Sequence, residues 1–140
     1  MNNKLKIYTD GGSRGNPGPA ALGVYIEDED GQEIASINQR LGTTTNNIAE
    51  YQAVLSAYQW LTSNISLVQT VSFYLDSLLV CSQLKGVYKI KNDSLREIYL
   101  LIKRLEFDLN KRGVKITYQH IPRSLNKKAD RLVNLALDSV

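Results

Sequence analysis

The chain has 140 residues, 43% of them hydrophobic and 22% charged, with a net charge of +3. That arithmetic fits one domain with a core that needs no disulfides, and it excludes disordered, collagen-like and low-complexity chains. No run approaches the ~18 consecutive apolar residues of a membrane helix, and Met1 to Lys6 lacks the apolar core of a signal peptide, so a cytoplasmic protein without a membrane partner is expected.

The chain opens with a β-prone run, Leu5 to Asp10. Gly11 to Pro19 follows, with four glycines and two prolines, and reads as a loop. Ala21 to Glu27 and Glu33 to Leu41 read as two strands joined at Asp30-Gly31, a hairpin turn signal, and the three strands form an antiparallel meander. From Asn47 to Leu61 the apolar residues fall at 48, 51, 54, 55, 58 and 61, one face of a helix. Val71 to Leu75 is a strand, and Ser77 to Leu84 a short helix closed by Gly86. Ser94 to Lys111 is a helix with a Ser94–Glu97 capping box and a stripe of Leu95, Ile98, Ile102 and Leu105. Val114 to Ile121 is the fifth strand, and Asn126 to Leu137 the last helix. The order β-β-β-α-β-α-α-β-α predicts an α/β fold: a mixed five-stranded sheet with helices on both faces. The single cysteine, Cys81, excludes an internal disulfide and reads as buried filler.

Four carboxylates stand apart from the rest. Asp10 ends the first strand and Asp76 follows the fourth. Glu50 lies in the first turn of the first long helix, and Asp130 in the first turns of the last. If strands one and four are neighbours, Asp10 and Asp76 emerge side by side, and carboxylates that close repel unless a proton or a cation separates them. A hard divalent cation with oxygen ligands, Mg²⁺ above all, resolves the repulsion. Singly each has a plainer role: Glu50 in a capping box with Asn47, Asp76 capping the next helix, Asp130 on a helix surface, Asp10 bracing the glycine loop. Glu27 to Asp30 lacks the ligand spacing of a calcium loop and reads as a solvated turn. The glycine loop lacks Gly-Lys-Ser/Thr, and its alternative use is close approach of a ligand to the backbone.

Charge is uneven along the chain. The first 84 residues carry four basic against eight acidic side chains, and residues 85–140 thirteen against six, so the second half suits a polyanion.

Four segments resemble the motifs of type 1 ribonuclease H, in that family's order: Tyr8 to Pro19, Thr44 to Tyr51, Leu75 to Ser77, and Ile121 to Asp130. The resemblance spans nearly the whole chain and implies a single ribonuclease H domain over residues 1–140. It implies an endonuclease that cuts the RNA strand of an RNA/DNA hybrid, leaving 5′-phosphate and 3′-hydroxyl ends, and acting as a monomer. Asp10, Glu50, Asp76 and Asp130 correspond to the family's catalytic metal ligands, which hold two Mg²⁺ ions, with Mn²⁺ as substitute. By the same analogy Gly11, Gly12, Ser13, Asn16, Asn46 and Asn47 contact the duplex and Thr45 lies near a phosphate; Arg123, in a loop and permanently charged, is expected to touch the scissile phosphate or its product. Double-stranded RNA is the alternative substrate, and a non-catalytic hybrid binder of the same fold is the rival reading. Leu78 stands where the family often has a polar residue, and the segment Gly86 to Asp93 is too short for the basic protrusion of many bacterial members, although Lys85, Lys89 and Lys91 keep it positive. His120, the single histidine, falls in a strand and is expected to pack beside the sheet rather than shuttle protons.

Overall fold

The computed structural model describes residues 3–64 and 68–139; the expected domain limits at 1 and 140 lie outside them. Three antiparallel strands, β1 (Lys4–Ser13), β2 (Gly18–Asp28) and β3 (Glu33–Thr44), lead into α1 (Asn46–Asn64). Then come β4 (Thr70–Leu75), α2 (Leu78–Leu84), α3 (Asp93–Lys111), β5 (Lys115–His120), a 3₁₀ turn (Arg123–Leu125) and α4 (Lys127–Asp138). The sheet order is β3-β2-β1-β4-β5, with β4 parallel to β1 and β5 parallel to β4. This is the expected mixed sheet and element order.

The sheet separates two cores. On one side Ile7, Leu22, Val24 and Ile26 pack with Tyr51, Val54, Tyr58 and Leu61 of α1 and with Ile98, Ile102 and Leu109 of α3. On the other, Ala21 meets Val133 and Ala136 of α4. Consecutive strand residues point to opposite faces, so Ala21 and Leu22 assign α4 and α1 to opposite sides. Burying each large aliphatic side chain stabilises by roughly 1.5–3 kcal/mol. β1 and α1, which carry Asp10 and Glu50, therefore sit in the best-anchored part of the molecule. Cys81 is buried, as expected.

Several local expectations need correction. The glycine-rich segment is mostly strand: β1 continues through Gly11, Gly12 and Ser13, paired with Leu22, Ala21 and Ala20. Asp10 therefore lies inside β1 rather than at its end. Gly11 is dictated by packing, because a Cβ there would meet the Ala49 carbonyl carbon at 2.2 Å and the Glu50 nitrogen at 2.4 Å. The close partner is α1, not a ligand. The acidic turn is not simply solvated. Asp28 is buried and its Oδ1 accepts from the backbone N–H groups of Asp30 and Gln32, while Gly31 takes φ +83° to close the turn. α3 starts one residue early: Asn92 Oδ1 accepts from Leu95 N, so the cap is Asn92 and the Ser94–Glu97 box is not formed. Thr45 caps α1 by accepting from Ile48 N, and Ser77 caps α2 by accepting from Val80 N. Neither Glu50 nor Asp76 is spent on capping.

Candidate active site

The parallel pairing of β1 with β4 aligns Thr9 with Leu75, so Asp10 and Asp76 leave adjacent strands together. Glu50 reaches the same point from α1. It is the fifth residue of that helix, in the second turn rather than the first. One carboxylate oxygen from each of Asp10, Glu50 and Asp76 lies within 4.8 Å of the others. Asp130, in the first turn of α4, is not part of that tight group but lines the same cleft, with Ser13, Asn46 and Arg123.

Backbone and amide donors hold the acids in place. The Gly11 N–H donates to Asp10 Oδ1 at 3.0 Å and to Glu50 Oε1 at 3.2 Å. Asn126 donates through Nδ2 to Asp76 Oδ2 at 3.0 Å and to the Thr9 carbonyl at 2.9 Å. In the sequence Asn126 reads as the start of the last helix, inside the fourth motif. It is in fact buried, and it ties the entry of α4 to the ends of β1 and β4. Ser77 and Asn134 also line the cleft and were not anticipated.

The electrostatics are unbalanced. Burial raises the Asp10 carboxyl to about 7, with the Asp76 and Asp130 charges adding to the effect. Burial and then Asp10 push Glu50 well above the ordinary carboxylate range. Glu50 Oε2 is buried with no hydrogen-bond partner among the described residues. A buried carboxylate oxygen without a donor is costly. A cluster of acids with an orphaned oxygen fits a hard divalent cation, whose preferred ligands are carboxylate oxygens.

The expected duplex-contacting residues divide in two. Gly11, Gly12, Ser13, Asn46, Asn47 and Arg123 line the cleft. Asn16 and Thr45 are not among its lining residues and serve the frame: Asn16 Oδ1 accepts from Asn46 N at 3.0 Å, and the Thr45 hydroxyl caps α1. Asn46 Oδ1 accepts from both the backbone N–H and the hydroxyl of Ser13, at 2.8 and 3.1 Å. Its Nδ2 has no partner among the described residues and is free to donate outward. His120 is not packed away. It is exposed at the end of β5, with Nε2 at 3.3 Å from the Asp76 carbonyl oxygen.

The same architecture recurs in known proteins. The RNase H family model matches residues 2–138. LC11-RNase H1, isolated from compost by a metagenomic approach, superposes with a TM-score of 0.88 at 42% identity, covering 97% of this chain and 96% of that one; a structure of LC11-RNase H1 in complex with RNA/DNA hybrid aligns at 41% identity, a TM-score of 0.88 and 96% of both chains. RNase H1 of the archaeon Halobacterium salinarum aligns at 34% identity and a TM-score of 0.87, over 98% of this chain and 99% of that one. Among curated relatives, a bifunctional protein of Mycobacterium tuberculosis is 36% identical over 138 residues, which are 97% of this chain but only 36% of that protein. The present chain thus spans about a third of that relative's length. With the family's fold reproduced strand by strand and the match running almost end to end, the chain belongs to the RNase H family.

Proposed function

We propose that this chain is one ribonuclease H unit that hydrolyses the RNA strand of RNA/DNA hybrids and depends on divalent cations. The observation that carries the reading is the Asp10–Glu50–Asp76 cluster, three acids gathered with no basic partner at the floor of an open cleft. The hybrid-bound LC11 structure supports the choice of substrate.

Asp10, Glu50, Asp76 and Asp130 would hold Mg²⁺, with Mn²⁺ as substitute. When bound, the cations supply charge neutralisation at the scissile phosphate and acidify the attacking water. The protein supplies placement. Gly11 N–H fixes the inner oxygens of Asp10 and Glu50, and Asn126 fixes Asp76, so the carboxylates need no reorganisation as charge develops. Arg123, permanently charged and exposed on the 3₁₀ turn at the edge of the cleft, orients the phosphate. The Ser13–Asn46 pair presents amide and hydroxyl groups suited to a shallow groove displaying 2′-hydroxyls.

The test is incubation of end-labelled RNA/DNA hybrid, double-stranded RNA and double-stranded DNA with Mg²⁺, Mn²⁺ or EDTA. Cleavage confined to the RNA strand of the hybrid, leaving 5′-phosphate ends and abolished by EDTA, is expected. Tight hybrid binding without cleavage under any metal would instead favour a binding module.

A further inference from the structure

On the α4 side of the sheet, cross-strand partners share a face. One row runs Tyr25, Tyr8, Tyr74, Gln119 from β2 to β5. The next row contains Glu27, Lys6, Ser72 and Thr117, so the face is acidic at its β2 end and basic toward β5, and a third contains Lys4, Thr70 and Lys115. α4 packs on β1, β2 and β3, and Gln119, Thr117 and Lys115 are exposed on β5. The tyrosines form a ladder: Tyr8 stacks on Tyr74 with ring centroids 4.9 Å apart and planes at 20°, and Tyr25 lies 6.3 Å from Tyr8. One end is closed, because Lys128 Nζ sits 4.5 Å from the Tyr25 ring centroid and donates to its hydroxyl. At the other end, no further aromatic ring stacks on Tyr74 among the described residues, and its outer face looks toward Gln119.

We propose that this open face binds single-stranded nucleic acid, with a base stacking on the free face of Tyr74. Every base has a π-face, so the half-buried ring of Tyr74 beside lysines is a sequence-tolerant binding element. Charge complementarity selects the occupant. Lys4, Lys6 and Lys115 make no ion pair among the described residues. They surround hydroxyls and an amide rather than apolar side chains, which suits a polyanion better than a second protein surface. Rows two residues apart are separated by about 7 Å, so the three rows span about 14 Å, enough for roughly two or three nucleotides. The face is also continuous with the cleft. Tyr8 and Tyr74 lie two residues before Asp10 and Asp76, and the 3₁₀ turn divides the two surfaces, with Arg123 on the cleft side and Leu125 beside Tyr8. A single-stranded extension of a duplex held in the cleft could pass over this turn onto Tyr74.

The experiment is fluorescence anisotropy of a labelled oligo(dT) of about twelve nucleotides at ~50 mM salt in EDTA. Tyr74→Ala is expected to weaken binding by roughly tenfold or more, and Lys6→Glu with Lys115→Glu by at least as much. Tyr74→Phe, which keeps the ring, should bind as wild type, and Tyr74→Ala should still cleave a blunt hybrid at the wild-type rate. The lysine variants keep the test decisive if Tyr74→Ala fails to fold. Undiminished binding by the folded Tyr74 and lysine variants overturns the proposal. So does an equal loss in Arg123→Ala, which would put the oligonucleotide in the cleft. A concentration-dependent dimer in sedimentation that the lysine variants abolish, with no oligonucleotide binding by wild type, would assign the face to a second copy and likewise overturn it.

Discussion

Two polar clusters hang on α1, at Glu50 and at Tyr58, about 12 Å apart along the helix. Around Tyr58 the ionisable groups are matched. Glu106 receives Lys103 Nζ at 3.2 Å and the hydroxyl of Tyr118, Tyr118 is bonded in turn to Tyr58, and Lys103 also donates to the Leu84 carbonyl. The pair therefore ties α1, α2, α3 and β5 together. Around Glu50 no basic side chain pairs with the three converging acids, and Glu50 Oε2, Thr9 Oγ1 and Asn126 Oδ1 are buried without partners among the described residues. Both clusters disturb titration. Burial pushes Tyr58 and Tyr118 well above the ordinary phenol value, as it raises Asp10 and Glu50. A perturbed group is thus not by itself a sign of function. What marks the Glu50 cluster is the missing countercharge in an open cleft.

Substitution should split the two clusters most widely. Asp76→Asn keeps the shape and the Asn126 contact but removes a ligand charge. Hybrid cleavage should fall on the order of a thousandfold, as it does when a preorganised electrostatic group is lost, while thermal melting without metal stays level or rises. Glu106→Ala should do the reverse. It strands Lys103 and two phenols that are largely buried, costing about 1–3 kcal/mol of stability by urea titration and leaving turnover per folded molecule near wild type. Near-normal cleavage by Asp76→Asn would remove it from the ligand set.

The second prediction uses pH. In the metal-free protein Asp10 holds its proton up to about pH 7, whereas an unfolded aspartate loses it near 3.9. The folded state therefore binds the extra proton between those values, and metal-free stability falls as pH rises through that window, flattening above it. The loss is on the order of 2–4 kcal/mol. Asp10→Asn should make the profile shallower, leaving the part that buried Glu50 contributes, and be the more stable protein at pH 8. Mg²⁺ binds the native acids and should restore the loss by mass action. A wild-type profile that is flat from pH 4.5 to 8 in EDTA would mean that neither burial nor the neighbouring acids hold these carboxyls protonated.

Period and turn chemistry made most of the fold legible. Helical spacing at 48, 51, 54, 55, 58 and 61 and the β-prone runs predict every strand and α-helix in order, though not the 3₁₀ turn, and the parallel β1–β4 neighbourhood brings Asp10 beside Asp76 as expected. The misreadings share a physical cause. Gly and Pro are local signals for a loop, but Gly11 is in a strand because α1 crosses it closely, a tertiary fact with no local trace. Asn92 and Ser94 are both good caps, and nothing local ranks them. Asn126 reads like any helix-start asparagine, although its side chain turns inward to Asp76 instead of capping α4. Asn16 and Thr45 each spend one side-chain oxygen on the frame, which their motifs alone do not reveal.

The smallest expected effect concerns the rim, where exposed groups meet the cleft without belonging to the acid cluster. Arg123 and His120 flank it: Arg123 lines the cleft, whereas His120 does not and touches only the Asp76 carbonyl, at 3.3 Å. Being exposed rather than packed frees His120 to move. Yet its one contact is to backbone already fixed by β4, so the ring has little left to position. A permanently charged guanidinium facing the cleft can meet a phosphate with two donors, and losing it from an exposed site costs about 1.5–3 kcal/mol of a charged hydrogen bond. Arg123→Ala should therefore lower kcat/KM for hybrid by more than tenfold, and His120→Ala by less. Steady-state rates across several pH values decide the point. A hundredfold loss in a well-folded His120→Ala protein would show that this histidine serves the chemistry after all.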